Sequence, residues 1–481
     1  MLIFIRSKSL TFASVSKKLN TDNQKMDKKI DFGTMKVSTL FRKLLLPTIL
    51  GMVFSAVFII TDGIFVGKGI GSDALAAVNI TAPLFMVNTG IALMFGIGAS
   101  VVASVYLAQK KTDAARVNIT QAMFVMSFSI ILLSGISFCF IDKLAVGLGS
   151  SERLLPLARE YMQWFLPFFV FSSILNAGMF YVRLDGSPNY AMICNVIPAI
   201  LNIILDYVFI FELDWGLFGA ALATSLGYII GAAMILYYLY DKKRTVHFYP
   251  LLKCLSNMKA LARNSIYICK LGISSFLCEA AIAIMMFTGN YVFIRHLGED
   301  GVAAYSIACY FFPIIFMAYN AIAQSAQPIL SYNYEIERSD RVKSAFILAL
   351  STAVVFGSIT FVLTYIFSHE IVGLFIDSQY PAYNIAVKGM PLFASGYAFF
   401  GANLVCIGYY QSLEQDKTAT FITIMRGFIF INLCFLVLPQ FFGNEGIWLA
   451  VPMAEALTLA TIIITRIFLN KEKLKYKISS I

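Results

Sequence analysis

Two polar side chains one helical turn apart are the first candidates for chemistry in this sequence. Asn202 and Asp206 stand four residues apart in the apolar run ILNIILDYVFIF, so a helix places both on one face. Pro198 lies one turn earlier and leaves a backbone carbonyl free. A carboxylate beside an amide in apolar surroundings can take up a proton or coordinate a cation. We therefore predict an ion site here; the alternative is a buried aspartate that only ties helices together.

A few other charged side chains lie in apolar runs, where each charge costs several kcal/mol and tends to be functional. The acids are Asp62 in TDGIFVG, Glu279 in SSFLCEAAIAIMMF and Glu455 in WLAVPMAEALTL. We predict functional roles for Asp62 and Glu279, whereas Glu455 is equally consistent with a structural hydrogen bond. Arg426 in IMRGFIFI has no partner next to it in sequence, so we predict a structural role in which Glu455 or another acid neutralises it.

The elements that must position these side chains are membrane-spanning helices. Hydrophobic residues make up 59% of the 481 residues and charged residues only 13%, which excludes a soluble enzyme, a disordered chain and a disulfide scaffold. Runs of roughly 20 apolar residues each suffice to cross a ~30 Å hydrocarbon core as a helix. About twelve such runs are predicted, near 44–66, 77–107, 119–141, 160–182, 190–211, 216–240, 268–294, 304–333, 344–367, 384–409, 418–440 and 446–468.

The positions of lysine and arginine predict the orientation. Most of the 37 basic residues fall in the segments 1–43, 108–117, 241–270, 335–343 and from Arg466 onward, with Arg183 counted in a further loop on that side. Cytoplasmic loops retain positive charge, so both termini are predicted in the cytoplasm. The 1–40 segment is read as a cytoplasmic tail in which Met26 could be the true start. A signal peptide is the alternative, but its apolar patch is short.

The two halves of the chain repeat. GSDALAAVNI at 71–80 and GEDGVAAYSI at 298–307 match at an offset of 227, and TDGIFVGKGIG aligns with TGNYVFIRHLG at the same offset. We predict an all-α integral membrane protein with two pseudo-symmetric six-helix lobes, as many secondary transporters have. The expected division is an N-lobe at 41–240, a basic linker at 241–266, a C-lobe at 267–468 and a cytoplasmic tail at 469–481. Bending points or ordinary packing kinks are expected at Pro198, Pro313, Pro328, Gly96 and Gly98.

Several functions are excluded by what the sequence lacks. The net charge of +10 would suggest nucleic acid as partner for a soluble domain, but here it follows loop topology, so no nucleic acid is expected. The eight cysteines form no CxxC pair, so neither a disulfide nor a metal site is predicted. An intramembrane enzyme would need a HExxH or GxGD set, and neither occurs. We predict no enzymatic activity and no cofactor.

Several motifs resemble the multidrug and toxic compound extrusion (MATE) family. They are TDGIFVGKGIGSDALAAVNITAPL, MFGIGASVVASVYLAQKKTDAARV, VRLDGSPNYAM followed by NIILDYVFIF, and AQSAQPILSYNY in the second half. The resemblance extends from Phe41 to Phe468, in order in both halves. Within that family the motifs resemble the bacterial DNA-damage-inducible-F-like branch.

The resemblance implies a V-shaped pair of six-helix lobes that exports cationic, amphipathic drugs in exchange for H⁺ or Na⁺. We expect this multidrug antiporter to work by alternating access, as a monomer in a bacterial inner membrane. It also implies site residues. The N-lobe cation site, where Na⁺ would use the first three, falls on Asp62, Asn202, Asp206 and Thr224. The C-lobe carboxylate falls on Glu279, and a Gln-x-x-Gln-Pro element at the substrate cavity falls on Gln324, Gln327 and Pro328.

Two departures from the family pattern are visible. The tenth run, FASGYAFFGANLVCIGYY, contains no acid, so a C-lobe sodium site built from two carboxylates is not expected. The segment after SYNY reads EIER at 335–338 in place of Gly-Ala-Lys. Two other functions remain open: a flippase for lipid-linked sugars or a specific metabolite exporter. A flippase should carry several Arg or Lys in its cavity for a pyrophosphate, and only Arg426 is predicted deep within a span.

Overall fold

A computed structural model of the chain describes residues 30–148, 150, 152–376 and 378–479. These residues form helices and connecting turns, without a strand. Most of the predicted N-terminal tail, including Met26, and the last two residues of the C-terminal tail lie outside the described residues.

The first half of the chain forms six long helices. Five of the six predicted apolar runs lie within these helices, whereas the run 119–141 ends two residues after the third helix, which stops at Cys139. Their bounds are α1 Val37–Gly69, α2 Ser72–Ala108, α3 Thr112–Cys139, α4 Leu155–Leu184, α5 Pro188–Glu212 and α6 Gly216–Tyr240. A single 3-10 turn at Leu166–Phe168 interrupts α4. We call these six helices the N-lobe.

The second half forms the C-lobe. Its helices are α7 Met258–Gly298, α8 Asp300–Glu335, α9 Ser339–Ile366, α10 (Pro381–Ala394 and Tyr397–Ser412), α11 at 416–442 and α12 at 444–479. Ten helices of the described residues are long and apolar enough to cross a membrane, or eleven when the two parts of α10, bent by 42°, count as one span. Gly443 breaks the longest of them into α11 and α12, which brings the number of crossing segments to the predicted twelve.

The turns between helices repeat with the lobes. Gly71 and Gly298, and likewise Gly216 and Gly443, have positive φ and stand at the offset of 227 found in the sequence. Lys110 and Glu337 form another such pair. Since only glycine adopts this region without strain, the equivalent glycines mark chain reversals common to both halves.

The helices alternate in direction, so the connections 109–111, 185–187, 241–257, 336–338 and 413–415 lie at one end. We call it the basic end, because lysine and arginine are concentrated in 109–111 and 241–257. Each lobe has its own hydrophobic core. Each core also contains residues from the N-terminal part of the first helix of the other lobe, α1 or α7. Phe41 and Leu44 of α1 belong to the C-lobe core. Ile268 and Leu271 of α7, at the equivalent repeat positions, belong to the N-lobe core. The cores therefore cross the division expected at 240–267.

The lobes meet along a seam between α2 and helices α7 and α8 at the basic end. Ser100 hydrogen-bonds Gln327 (3.4 Å) and Ser331 donates to Ser104 (2.8 Å), and both pairs are 227 residues apart. Equivalent residues thus face each other across the pseudo-twofold axis. A Cβ on Gly98 would lie 2.3 Å from the carbonyl oxygen of Ile268. α2 is continuous through Gly96 and Gly98, and Gly98 provides close helix packing there.

The segment 30–36 crosses this seam before α1 begins. Arg341 at the start of α9 donates to the carbonyl oxygens of Phe32 (2.9 Å) and Met35 (2.6 Å). On the other side, Ile30 packs against Gly186 of the α4–α5 turn. A hydrogen bond from the Thr34 hydroxyl lowers the pKa of Asp31 from its usual value. The segment joins both lobes at the basic end.

Candidate functional site

The four residues predicted for the N-lobe ion site lie together. Asp206 is fully buried and Asn202 is 1% exposed, both on the inward face of α5. Asn202 donates through Nδ2 to Oγ1 of buried Thr224 on α6 (3.3 Å). From α1, the half-buried Asp62 brings its carboxylate within hydrogen-bonding reach of the Asp206 carboxylate. Three helices thus supply one cluster, which we call the acid pair site.

The packing of α5 against α6 explains why Asn202 and Thr224 meet. A Cβ on Gly227 would stand 3.3 Å from the carbonyl oxygen of Pro198, so glycine allows α6 to approach α5 at this point. α5 continues through Pro198 as a helix to Asp206 and then changes to a π-helix at Tyr207–Glu212. The helical irregularity of α5 therefore follows Asp206 and does not lie at Pro198, where a bend was predicted. π-Helical turns are frequent at functional sites.

The acid pair site lacks hydrogen-bond donors for its oxygens. Among the described residues, none donates to the buried oxygens Asp62 Oδ1, Asn202 Oδ1, Asp206 Oδ1 and Asp206 Oδ2. Two carboxylates that face each other in a dry environment are acceptors only, so they require a shared proton or a cation between them. The site therefore fits H⁺ or a small cation that prefers oxygen ligands. No group of three or more metal-binding acids, histidines or cysteines occurs in the described part of the chain.

Two tyrosines that the sequence analysis missed complete the surroundings of the acid pair. Tyr161 of α4 lies within electrostatic reach of both carboxylates, and Tyr228 of α6 within reach of Asp62. The Tyr228 ring is 6.3 Å from that of Phe165, which stacks on Tyr161 at 5.8 Å. Neither tyrosine carries a spacing signal, because their position depends on how α4 and α6 rotate against α5.

Glu279 lies elsewhere, in a cavity between the lobes. Helices of both lobes line this cavity, which we call the Glu279 cavity: Leu93, Ile97, Phe180, Ser275, Cys278, Glu279, Phe316, Asn320, Ala323, Gln324, Gln327, Leu404, Ile407, Gly408 and Gln411. No described residue donates a hydrogen bond to the Glu279 carboxylate. Neither Asp62 nor Asp206 lines the cavity, so the predicted acids occupy two separate places.

The predicted glutamines join the cavity to the seam. Gln327 hydrogen-bonds Ser100, whereas Gln324 accepts a 2.8 Å hydrogen bond from Nη1 of Arg183 on α4. Arg183 was counted in a loop in the sequence analysis, and this placement is wrong. It lies in the last turn of α4 and is only 5% exposed. The end of the predicted fourth span directly before it suggested a loop, but the C-lobe covers the side chain. Pro328 follows within α8, which is helical there.

Arg426 and Glu455 form an ion pair in the C-lobe core. Arg426 Nε lies 2.8 and 3.0 Å from the two Glu455 oxygens, and both side chains are buried. Asn403 of α10 also donates to Glu455 (2.7 Å), and the guanidinium lies 4.5 Å from the centre of the Phe400 ring. Arg426 Nη1 and Asn403 Oδ1 are the buried atoms of this cluster without a partner in the described residues. The pair lies within packed helices and outside the cavity lining.

Comparison with known proteins gives a consistent result. The MatE family profile matches residues 47–208 and 275–437. Multidrug export protein MepA of Staphylococcus aureus (strain MRSA252) is 26% identical over 435 residues, which covers 89% of this chain and 93% of that protein. A structure described as the outward-facing conformation of a multidrug resistance MATE family transporter has 21% identity and a TM-score of 0.85, and covers 93% of this chain and 99% of that one.

A further similar structure is a transporter of the MOP superfamily from Pyrococcus furiosus, whose title states that reverse polarity of the binding pocket suggests a different function. It has the same 21% identity, a TM-score of 0.85, and coverage of 93% of this chain and 99% of that chain. These likenesses in structure support the two-lobe fold.

Proposed function

The chain belongs to the MatE family, and from this premise we propose that it is a secondary active multidrug exporter that exchanges organic cations for H⁺ or Na⁺ by alternating access. The acid pair site carries this proposal. A buried and a half-buried carboxylate with unpartnered buried oxygens are suited to bind and release an ion, and the family consists of transporters, not enzymes. The name multidrug export protein given to the staphylococcal relatives supports the substrate class.

The Glu279 cavity is the proposed substrate site. Its lining combines one carboxylate with apolar and aromatic side chains and with side-chain amides, which suits a cation with an apolar body. A flippase for lipid-linked sugars would need several cationic residues around a pyrophosphate, but Glu279 is the one charged residue among those that line the cavity. The chemistry of the lining therefore favours an organic cation over a lipid pyrophosphate or an anionic metabolite.

Exchange follows from a coupling of the two sites. An ion that binds between Asp62 and Asp206 removes their mutual repulsion and changes how α1 packs on α5. Because the first turns of α1 lie in the C-lobe core, this change reaches the other lobe. Export requires only that the ion and the substrate favour opposite arrangements of the lobes.

The orientation follows from charge. Cytoplasmic loops carry the excess of lysine and arginine, so the basic end faces the cytoplasm of a bacterial cell and both termini are cytoplasmic. The closed seam then corresponds to an outward-facing state. Monomeric action, the domain limits and the relation to the DNA-damage-inducible-F-like branch stay predictions.

The test is ethidium efflux measured in energised inverted vesicles while the proton and sodium gradients are collapsed separately. Wild type is compared with Asp206→Asn and with Glu445→Gln, a matched change at an exposed acid. We expect efflux to follow one gradient, to be lost in Asp206→Asn and to persist in Glu445→Gln. A wild type that moves no cationic dye under either gradient contradicts the multidrug assignment and favours the flippase or metabolite exporter.

A further inference from the structure

A buried arginine without an acidic partner lies behind the wall of the Glu279 cavity. Arg183 donates from Nε to the carbonyl oxygen of Met179 (3.1 Å) and from Nη1 to Gln324 Oε1 (2.8 Å), and its guanidinium lies 4.7 Å from the Phe180 ring centre. These contacts are all neutral, and the ion pairs of the described residues do not include Arg183. Within the described part of the chain, the guanidinium therefore has hydrogen-bond and ring contacts but no ion pair.

Two of the groups that hold this guanidinium are themselves part of the cavity. Phe180 and Gln324 both line it, together with Glu279. Arg183 and Phe180 belong to α4 of the N-lobe, whereas Gln324 belongs to α8 of the C-lobe. The Arg183–Gln324 hydrogen bond therefore exists only while the lobes are closed at the basic end.

We infer that Arg183 lowers the affinity of the Glu279 cavity for organic cations whenever the basic end is closed. This inference rests on the proposed function and assigns a role in specificity and release to a residue outside the cavity lining. In the closed state, a buried positive charge in contact with the lining residues Phe180 and Gln324 opposes a second cation in the cavity. Arg183 also occupies Gln324 Oε1, an acceptor that a substrate N–H group would otherwise use.

Opening of the basic end reverses both effects. When the lobes separate there, Arg183 moves away with α4 and releases Gln324, so that Glu279 and the free amide oxygen face the cavity without an opposing charge. The same cavity then holds a cation more tightly when it is open to the basic end than when it is closed there. An exporter needs this difference, because its substrate must be bound on one side and released on the other.

The closed state can be fixed by a disulfide. The hydroxyl oxygens of Ser104 and Ser331 are 2.8 Å apart, so Ser104→Cys with Ser331→Cys places two thiols within bonding reach across the seam. The exposed Cys139 is replaced by serine to avoid side reactions. This full-length parent is placed in lipid nanodiscs, and the Kd of tetraphenylphosphonium is measured with the disulfide oxidised and reduced. The probe has a fixed charge and no N–H donor, so it reports the charge effect alone.

Oxidation is expected to weaken binding to the parent about tenfold. Arg183→Gln retains an amide for Gln324 but removes the charge, and should bring the oxidised Kd back to the reduced value. Arg183→Lys retains the charge and should behave like the parent. Arg183→Met provides a second neutral variant if Arg183→Gln does not fold.

Each other outcome overturns the inference. If the oxidised Kd of the neutral variants stays within twofold of the oxidised parent, or if the lysine and glutamine variants behave alike, the charge of Arg183 does not control release. In that case the reduced parent still binds the cation and the proposed function stands. If the reduced parent binds no tetraphenylphosphonium at all, the proposed function fails together with this inference.

Discussion

The two lobes have the same arrangement of six helices, but they differ in the partners of their buried charged side chains. Helices α5 and α11 each contain a π-helix, which directly follows Asp206 in α5 and contains Arg426 in α11. In the N-lobe the neighbouring acid, Asp62, leaves two carboxylates face to face. In the C-lobe Glu455 neutralises Arg426 through two short hydrogen bonds. The comparison teaches that a duplicated fold can bury an acid pair with unpartnered oxygens in one half and a neutralised ion pair in the other.

The largest effect expected from this difference is on the stability of the C-lobe. Arg426→Met leaves the Glu455 carboxylate buried with only Asn403 as donor, and breaking a buried pair on one side costs about 3–5 kcal/mol. The thermal unfolding midpoint of the purified protein in nanodiscs should fall accordingly.

The matched control for that experiment removes both charges. Arg426→Met combined with Glu455→Gln should recover most of the lost stability, because no unpaired charge is left in the core. A double variant as unstable as the single one would mean that Arg426 acts through its packing on Phe400 and not through its charge.

The next effect separates ion coupling from substrate binding. Asp206→Asn should reduce gradient-driven ethidium transport by roughly 100-fold, since a neutral amide cannot alternate between charged and uncharged forms. Equilibrium binding of ethidium should change little, because Asp206 does not line the Glu279 cavity.

Glu279→Gln is the counterpart in the C-lobe. It should weaken ethidium binding about tenfold, because the charged group in the cavity lining is lost. If Asp206→Asn weakens binding as strongly as Glu279→Gln, the two sites are not separate in function.

The contrast between the lobes also shows what the sequence can predict. Hydropathy and the internal repeat predict the twelve crossing segments, because span length and duplication are local properties of the chain. The pairing of Asn202 with Asp206 follows from helical spacing, while Asp62 and Thr224 were assigned through the resemblance to a family. That these four side chains lie together agrees with the prediction, and their role in ion exchange stays a proposal.

Contacts between helices are harder to predict. Tyr161 and Tyr228 approach the acid pair only through the rotation of α4 and α6, which no periodicity reveals. Arg183 was placed in a loop because it directly follows the predicted span 160–182. Its side chain contacts Gln324 of α8, a helix of the opposite lobe. Likewise, the insertion of α1 into the C-lobe core requires knowledge of how the lobes are arranged.

A smaller effect of opposite sign is expected in the N-lobe. Asp62→Asn replaces a carboxylate that faces Asp206 with an amide able to donate to it, so the folded state should gain about 1 kcal/mol. The unfolding midpoint should therefore rise, whereas Glu445→Gln at an exposed acid should leave it unchanged. A clear loss of stability in Asp62→Asn would show that the acid pair is held by a proton that the amide cannot replace.

The smallest effect is expected at an acid that lies outside both lobe interiors. Asp31 accepts hydrogen bonds from the Thr34 hydroxyl (2.6 Å) and the Gly33 backbone (2.8 Å), which lower its pKa below the usual 3.8, and Arg341 contributes to the same direction. A lowered pKa in the folded state stabilises the protein above the unfolded pKa, and this contribution is lost as the pH falls through the folded value. Asp31→Asn should therefore lower stability at pH 7 by less than about 1 kcal/mol, because the group is exposed. In unfolding measurements the difference from wild type should begin to shrink near pH 4 and vanish below the folded pKa of Asp31. Thr34→Val removes the hydrogen bond from the Thr34 hydroxyl and should give a similar small loss of stability. A loss of several kcal/mol in either variant would contradict this, because it would mean that the exposed hydrogen bonds of Asp31 contribute far more to folding than exposed contacts normally do.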